Sequence, residues 1–350
     1  MKSLAFFSNR GGVGTTTLTF NLAHLWARAG LRVLVLDYDP QCALSAILLG
    51  EPQLVETWEL EEPGATVKDC LEPLRSGTGE IVPPILTQVA DGLWLLPGHL
   101  GLGRFEQTLA QAFTQTPGDD NQRALDLATA LDRLSNLAAE SVGADILLID
   151  TGPNLGALTW AALLACDHVI LPVAPDLFSL QGLRNVGPTL RDWRRDWQRV
   201  RERGFHGKAQ QRLPPHDFRP LGYIVQQHSA GADQPVGAHR RWGDAIPFEY
   251  RRQVLGEPDP PAGLTMDQDP HRLAVIPHYA GLIPIAQQAR KPIFDLRQAD
   301  GVGGGQLQAV ARCRKGFEEI ARTLLGRIGC GGVPGGADPA GGAASTPGSE

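Results

Sequence analysis

The 350-residue chain has little that would tie it to a metal cluster, a bilayer or an oxidising compartment. Its five cysteines, Cys42, Cys70, Cys166, Cys313 and Cys330, are scattered, and no two form a C-x-x-C pair. Zinc or iron–sulfur ligation therefore lacks its usual spacing, and buried or incidental thiols are expected. The nine histidines are also unclustered, so packed or solvated rings are expected rather than ligands. No apolar run approaches the roughly 18 residues that cross a bilayer. The first apolar run, Leu4 to Phe7, is too short for a secretory signal. A cytoplasmic protein without membrane contact is the expectation. A formal net charge of -6 excludes a wholly basic nucleic-acid binder but leaves room for a local basic surface. No internal repeat is present.

What is present is ample apolar material, 42% of the residues, enough for a buried core. Strand and helix patterns alternate along the chain, which predicts a three-layer α/β/α fold with a mostly parallel sheet. Strands are expected at Leu4–Phe7, Leu31–Leu36, Leu93–Leu96, Asp145–Asp150, His168–Val173, Leu221–Val225 and Leu273–Ile276. Residues 51–92 show less regularity. One domain is expected over residues 1–328. Residues 329–350, rich in Gly, Ala, Pro and Ser, read as a disordered tail.

The chemistry concentrates in Ser8-Asn9-Arg10-Gly11-Gly12-Val13-Gly14-Thr15-Thr16-Thr17, between the first strand and a helix marked by Leu18, Leu22, Leu25 and Trp26. Glycines there let backbone N–H groups turn inward, and the helix N-terminus adds partial positive charge, which makes a phosphate cradle. The phosphate-loop pattern is G-x-x-x-x-G-K-[ST]. Asn9 holds its first glycine slot, Gly14 its second, and Thr15 stands where lysine is usual. Asp37-Tyr38-Asp39-Pro40-Gln41 ends the second strand, at the sheet edge where α/β proteins bind ligands. Helix capping is the alternative role for these acids. Ile146–Ile149 ends in Asp150-Thr151-Gly152-Pro153, a Walker B pattern whose acid can hold magnesium through water.

The three motifs in this order resemble the ParA/MinD family of deviant Walker A ATPases, with K-G-G-x-G-K-T-T, then D-x-D-P-Q, then an Asp-led turn. Leu171-Pro172-Val173 through Gly182-Leu183, and Leu282-Ile283-Pro284 through Phe294, are similar to ParA-type partition proteins. The resemblance implies a P-loop NTPase domain over residues 1–328 that uses ATP and Mg2+. It implies a homodimer on ATP, with Arg10 in the signature slot reaching the partner's phosphates. It also implies phosphate contacts from Arg10, Gly11, Gly12, Val13, Gly14, Thr15, Thr16 and Thr17. Thr16, Asp39 and Asp150 fall in the metal shell, with Asp37 nearby. Asp39 and Arg10 carry catalysis, Asp39 by positioning the attacking water. The ATPase would serve plasmid or chromosome partition, with a DNA-bound partner protein stimulating hydrolysis.

Thr15 is the departure, because a hydroxyl donates one hydrogen bond but no charge. The readings are slow hydrolysis with Arg10 supplying charge, a non-catalytic scaffold or regulator, or an introduced change that traps one state. A second open point is the stretch from Ser179, expected as an N-cap, through Val200, with Pro188 as a possible kink. Its face carries Arg184, Arg191, Arg194, Arg195 and Arg199, suited either to non-specific DNA or to internal ion pairs on a solvated helix. Gln226 and Gln227 are candidates for adenine contact.

Overall fold

The computed structural model describes residues 1–116, 121–203, 213–214, 217–226, 236–277, 279 and 281–330, with backbone alone at 236–240. Gln227, residues 117–120, most of residues 204–219, and positions 331–350 of the expected tail lie outside the described residues.

The chain opens with β1 (Lys2–Phe6), α1 (Thr15–Arg28) and β2 (Val33–Asp37). The stretch expected to be irregular holds α3 and α4 among α2 (Ala43–Leu49), α3 (Glu51–Glu59) and α4 (Val67–Ser76), then β3 (Thr87–Ala90). Next come β4 (Leu93–Leu96), α5 (Gly103–Gln115), α6 (Gln122–Ala128), α7 (Ala130–Val142), β5 (Ile146–Asp150) and α8 (Ala157–Leu164). The second half carries β6 (His168–Val173), α9 (Leu177–Arg203), β7 (Arg219–Gln226), α10 (Val236–Glu249) and β8 (Arg272–Ile276). It closes with α11 (Ile283–Ala289) and α12 (Gly304–Ile328). Gly303 precedes α12, with its N–H donating to Gln306 Oε1 at 2.9 Å.

Among the described residues the sheet has eight strands in the order β3-β4-β2-β5-β1-β6-β7-β8, and only β3 runs antiparallel to its neighbour. Every residue of β2 and β5 is buried, as expected of parallel strands covered on both faces. Alternation divides their side chains between two layers. Leu34, Leu36, Leu147 and Ile149 join the core under α5 to α9. Val33, Val35, Ile146 and Leu148 join the opposite core under α1 and α12. The three-layer α/β/α arrangement follows from this double covering.

Two local expectations change. Helix α9 runs unbroken through Pro188. Its first turn is capped by Asp176 rather than Ser179, because Ser179 N–H donates to Asp176 Oδ1 at 2.8 Å. Helix α10 passes into a π-helical turn at Tyr250–Leu255.

Candidate functional site

The β2-β5-β1-β6 order brings the C-terminal ends of four parallel strands together. All three sequence motifs follow those ends. Between β1 and α1 the chain turns through Gly12 (φ 78°) and Gly14 (φ 77°), both left-handed. Gly14 is also the residue before α1, and its carbonyl accepts Leu18 N–H at 2.9 Å. A Cβ on Gly14 would meet Gln226 Nε2 at 2.6 Å, so the end of β7 lies against the loop. Gln226, an expected adenine contact, is thus placed on the loop wall. Val13 is buried and anchors the turn, while Gly11 and Gly12 have open space where a side chain would be.

Register places Asp37 directly opposite Asp150 across β2 and β5. Both are fully buried and Asp39 is 8% exposed. Thr16 Oγ1 donates to Asp150 Oδ2 at 2.9 Å, so the start of α1 reaches the acid at the end of β5. The other oxygen, Asp150 Oδ1, is buried with no hydrogen-bond partner. Asp37 is better satisfied. Its Oδ2 accepts from Ser45 N–H at 2.8 Å and Ser45 Oγ at 2.6 Å, and its Oδ1 from Asp39 N–H at 3.2 Å. Asp39 Oδ1 accepts Gln41 N–H at 2.9 Å and lies 3.1 Å from where a Cβ on Gly152 would stand. The two turns therefore touch at a glycine.

Burial holds all three acids above the ordinary carboxylate range, Asp37 to about 6 and Asp150 well above its usual value, with the charge of Asp37 as the next cause. Three donors stabilise the ionised Asp37, whereas Asp150 keeps an unsatisfied oxygen. A buried, unpartnered carboxylate oxygen beside a threonine hydroxyl is a donor set that could hold Mg2+. No cluster of three His, Cys, Asp or Glu ligands occurs among the described residues. Magnesium in phosphate sites needs no such cage, since it uses one or two protein oxygens, substrate phosphates and water. The residues fit the ion.

Arg10 is engaged within its own chain. Its Nη1 donates to both oxygens of Asp176, at 2.6 Å to Oδ1, and to Ser179 Oγ at 3.2 Å. Its guanidinium also stands 5.6 Å from the centre of the Phe178 ring. Asp176 and Ser179 were not among the expected site residues. The signal for Asp176 was available, as an acid just past β6 and ahead of a helix. Thr15 and Thr17 sit in the first turn of α1, with carbonyls that accept from Thr19 Oγ1 at 3.1 Å and Asn21 Nδ2 at 2.8 Å. Thr15 brings no charge to the loop.

The arginine face of α9 is largely committed. Arg184 pairs with Glu249, Arg194 with Asp217, Arg195 with Asp192 and Arg199 with Asp196. Arg191 packs beside Gly256, where a Cβ would meet its Nη1 at 2.7 Å. Cys42, Cys70, Cys166 and Cys313 are buried, and Cys330 is partly exposed.

A glycine loop before a helix, an acid at the next strand's end and a paired acid at β5 define a P-loop nucleotide-binding α/β protein. Comparison with known proteins carries this further. Residues 1–200 match the AAA domain family AAA_31, and the chain belongs to this family of ParA/MinD P-loop ATPases. It is 31% identical over 258 residues to the probable plasmid-partitioning protein ParA of Thermus thermophilus, covering 70% of this chain and 71% of that one. It is 37% identical over 193 residues to an uncharacterised Mycobacterium tuberculosis protein, a match covering 54% of this chain and about half (52%) of that relative. Among solved structures it is similar to protein DIP2308 of Corynebacterium diphtheriae, with TM-score 0.68, 22% identity, and 94% and 99% of the two chains covered. That likeness concerns the fold. No described helix is long and apolar enough to cross a membrane.

Proposed function

We propose that the chain is an ATP- and Mg2+-dependent switch of the partition type, which dimerises on ATP and hydrolyses it slowly. The observation that carries this reading is the unpartnered Asp150 Oδ1 beside the Thr16 hydroxyl, at the foot of the loop formed by Gly12 and Gly14. The plasmid-partitioning assignment of the Thermus relative supports it.

In this reading the N–H groups of residues 11–17 hold the phosphates, as a helix N-terminus does. Bound Mg2+ would offset phosphate charge, with Thr16 and Asp150 directed toward it. Asp39 orients the attacking water, and its contact with Gly152 ties that position to the turn after Asp150. Arg10 supplies charge from one protomer to the other once it leaves Asp176. Thr15 is a single weak donor where the deviant Walker A loop has lysine, and losing one preorganised donor costs about 2.7–4 kcal/mol in the barrier. Slow turnover follows. DNA engagement by α9 requires Arg184, Arg194, Arg195 and Arg199 to exchange carboxylates for phosphates. It would be weak and steeply salt dependent, leaving a DNA-bound partner protein to stimulate hydrolysis.

The missing charge at Thr15 favours a second reading, a non-catalytic scaffold. Calorimetric titration with Mg-ATP, sedimentation with and without ATP, and a phosphate-release assay separate the two. Binding, ATP-dependent dimers and measurable turnover support the switch. Dimers without turnover support the scaffold. No binding at millimolar Mg-ATP refutes both nucleotide roles.

A further inference from the structure

Away from the loop, α5, α8 and α9 enclose a cleft of about 450 Å³. Its wall is aromatic. Phe113 stacks on Trp160 with centroids 3.9 Å and planes 13° apart, and Trp160 lies parallel to Trp193 at 5.6 Å and 6°. Ala110, Leu155 and Val200 extend the apolar lining. Trp26 and Trp197 are sealed at 1% exposure, but Trp160 and Trp193 are only half-buried. These part-exposed rings give the concave space an apolar contact wall, as ligand pockets have.

The rim is charged on one side. Helix α9 presents Arg199 and Arg203 together with Asp196, whereas α5 offers Ala110 and Thr114. Arg199 pairs with Asp196 at 3.2 Å yet keeps 64% of its side chain exposed. Arg203 has no ion pair among the described residues. Tryptophan and arginine are the side chains that most often dominate protein contacts, and the volume lies in the ligand-pocket range of roughly 300–1,000 Å³.

We propose that this cleft docks a short peptide segment of a partner protein. One aromatic or branched aliphatic side chain enters against Trp160 and Trp193, and a neighbouring carboxylate meets Arg203 and Arg199. Asp196 offsets Arg199, and Arg203 leaves the rim net positive, which selects an acidic segment beside the bulky side chain. A nucleic-acid strand fits less well, because it needs cations that continue past the cleft. The next arginines back along α9, Arg195 and Arg194, are held by Asp192 and Asp217. The claim does not rest on the nucleotide reading.

The test is selection of phage-displayed random peptides on the full chain, followed by anisotropy titration of the enriched sequences as labelled synthetic peptides. Enriched peptides should carry Asp or Glu within a few residues of an aromatic or branched side chain. Arg203→Glu and Trp193→Ala should each weaken them about tenfold or more, while Trp193→Phe, which keeps a ring, holds most of the affinity. Should Trp193→Ala fail to fold, Arg203→Glu at the exposed helix end still decides. No enrichment, uniformly basic peptides, or affinity unchanged in Arg203→Glu would overturn the proposal. Displacement of the peptide by an equal concentration of single-stranded oligonucleotide would overturn it in favour of nucleic acid.

Discussion

The Arg10–Asp176 contact makes a quantitative prediction about dimerisation. If Arg10 acts on the partner's phosphates, its bonds to Asp176 and Ser179 must first break. The side chains are 32% and 20% exposed, so the pair is neither sealed nor fully solvated. Exposed pairs contribute about 0.2–1 kcal/mol, and hydrogen bonds to charged groups about 1.5–3 kcal/mol. About 1 kcal/mol per protomer is a conservative figure. A symmetric dimer breaks two such contacts, so the brake amounts to about 2 kcal/mol, or about thirtyfold in the dimer dissociation constant. Asp176→Asn removes the charge while an asparagine still caps α9. Sedimentation with a non-hydrolysable Mg-ATP analogue should show the dimer tightened by about that factor. Asp176→Asn combined with Arg10→Ala should lose the gain, because nothing is left to release. A single variant that dimerises no better than the unmodified chain, with folding intact by circular dichroism, would refute the reasoning.

Three further outcomes are expected. Thr15→Lys should raise ATP turnover on the order of 100-fold if the missing charge limits hydrolysis, measured by phosphate release at saturating ATP. Gly14→Ala forces a side chain into left-handed backbone and onto the Gln226 amide, so calorimetry should show a loss of about 1–2 kcal/mol in stability, with nucleotide affinity falling in parallel. Burial moves Asp37 from 3.8 to about 6 and raises Asp150 well above its ordinary value, so the folded chain holds these protons to higher pH than the unfolded chain. Their stabilisation is complete at acid pH below the ordinary value and is lost as pH rises through about 6 and beyond. Without Mg2+, the melting temperature of the unmodified chain relative to Asp150→Asn should therefore fall as pH rises above the ordinary carboxylate range, and a flat difference would refute the raised Asp150.

Legibility in the sequence followed burial. Strands β1, β2, β5 and β6 are visible because parallel strands covered on both faces leave nearly continuous apolar runs. The edge strand β3 is not, since its residues are at most half-buried and it pairs on one side only. Helix α4 escaped notice because it is short and contains Pro73, although Val67, Cys70, Leu71 and Leu74 do line one face. At the site, loop, Asp37, Asp39 and Asp150 could be read from order and spacing. The Thr16–Asp150 bond and the Asp37–Ser45 bond could not, because they depend on strand register. The α9 arginines show the same limit. Their number suggested a cationic face, but the partners of Arg184 and Arg194, Glu249 and Asp217, come from other parts of the chain.

The seating of β1 between β5 and β6 has a consequence for how the molecule is made. Its partners are drawn from residues more than 140 positions away, with Ala5 opposite Ile149 on one side and Val169 on the other. Pairings of such sequence separation form slowly, because a large loop must close before they contribute. During synthesis β1 therefore waits, apolar and unpaired on both edges, until β5 and β6 have followed. The phosphate loop it carries is completed late, so nucleotide could assist only the final stage of folding. Exposure of Leu4-Ala5-Phe6-Phe7 in the interval makes this segment a natural place for chaperone capture or misassembly.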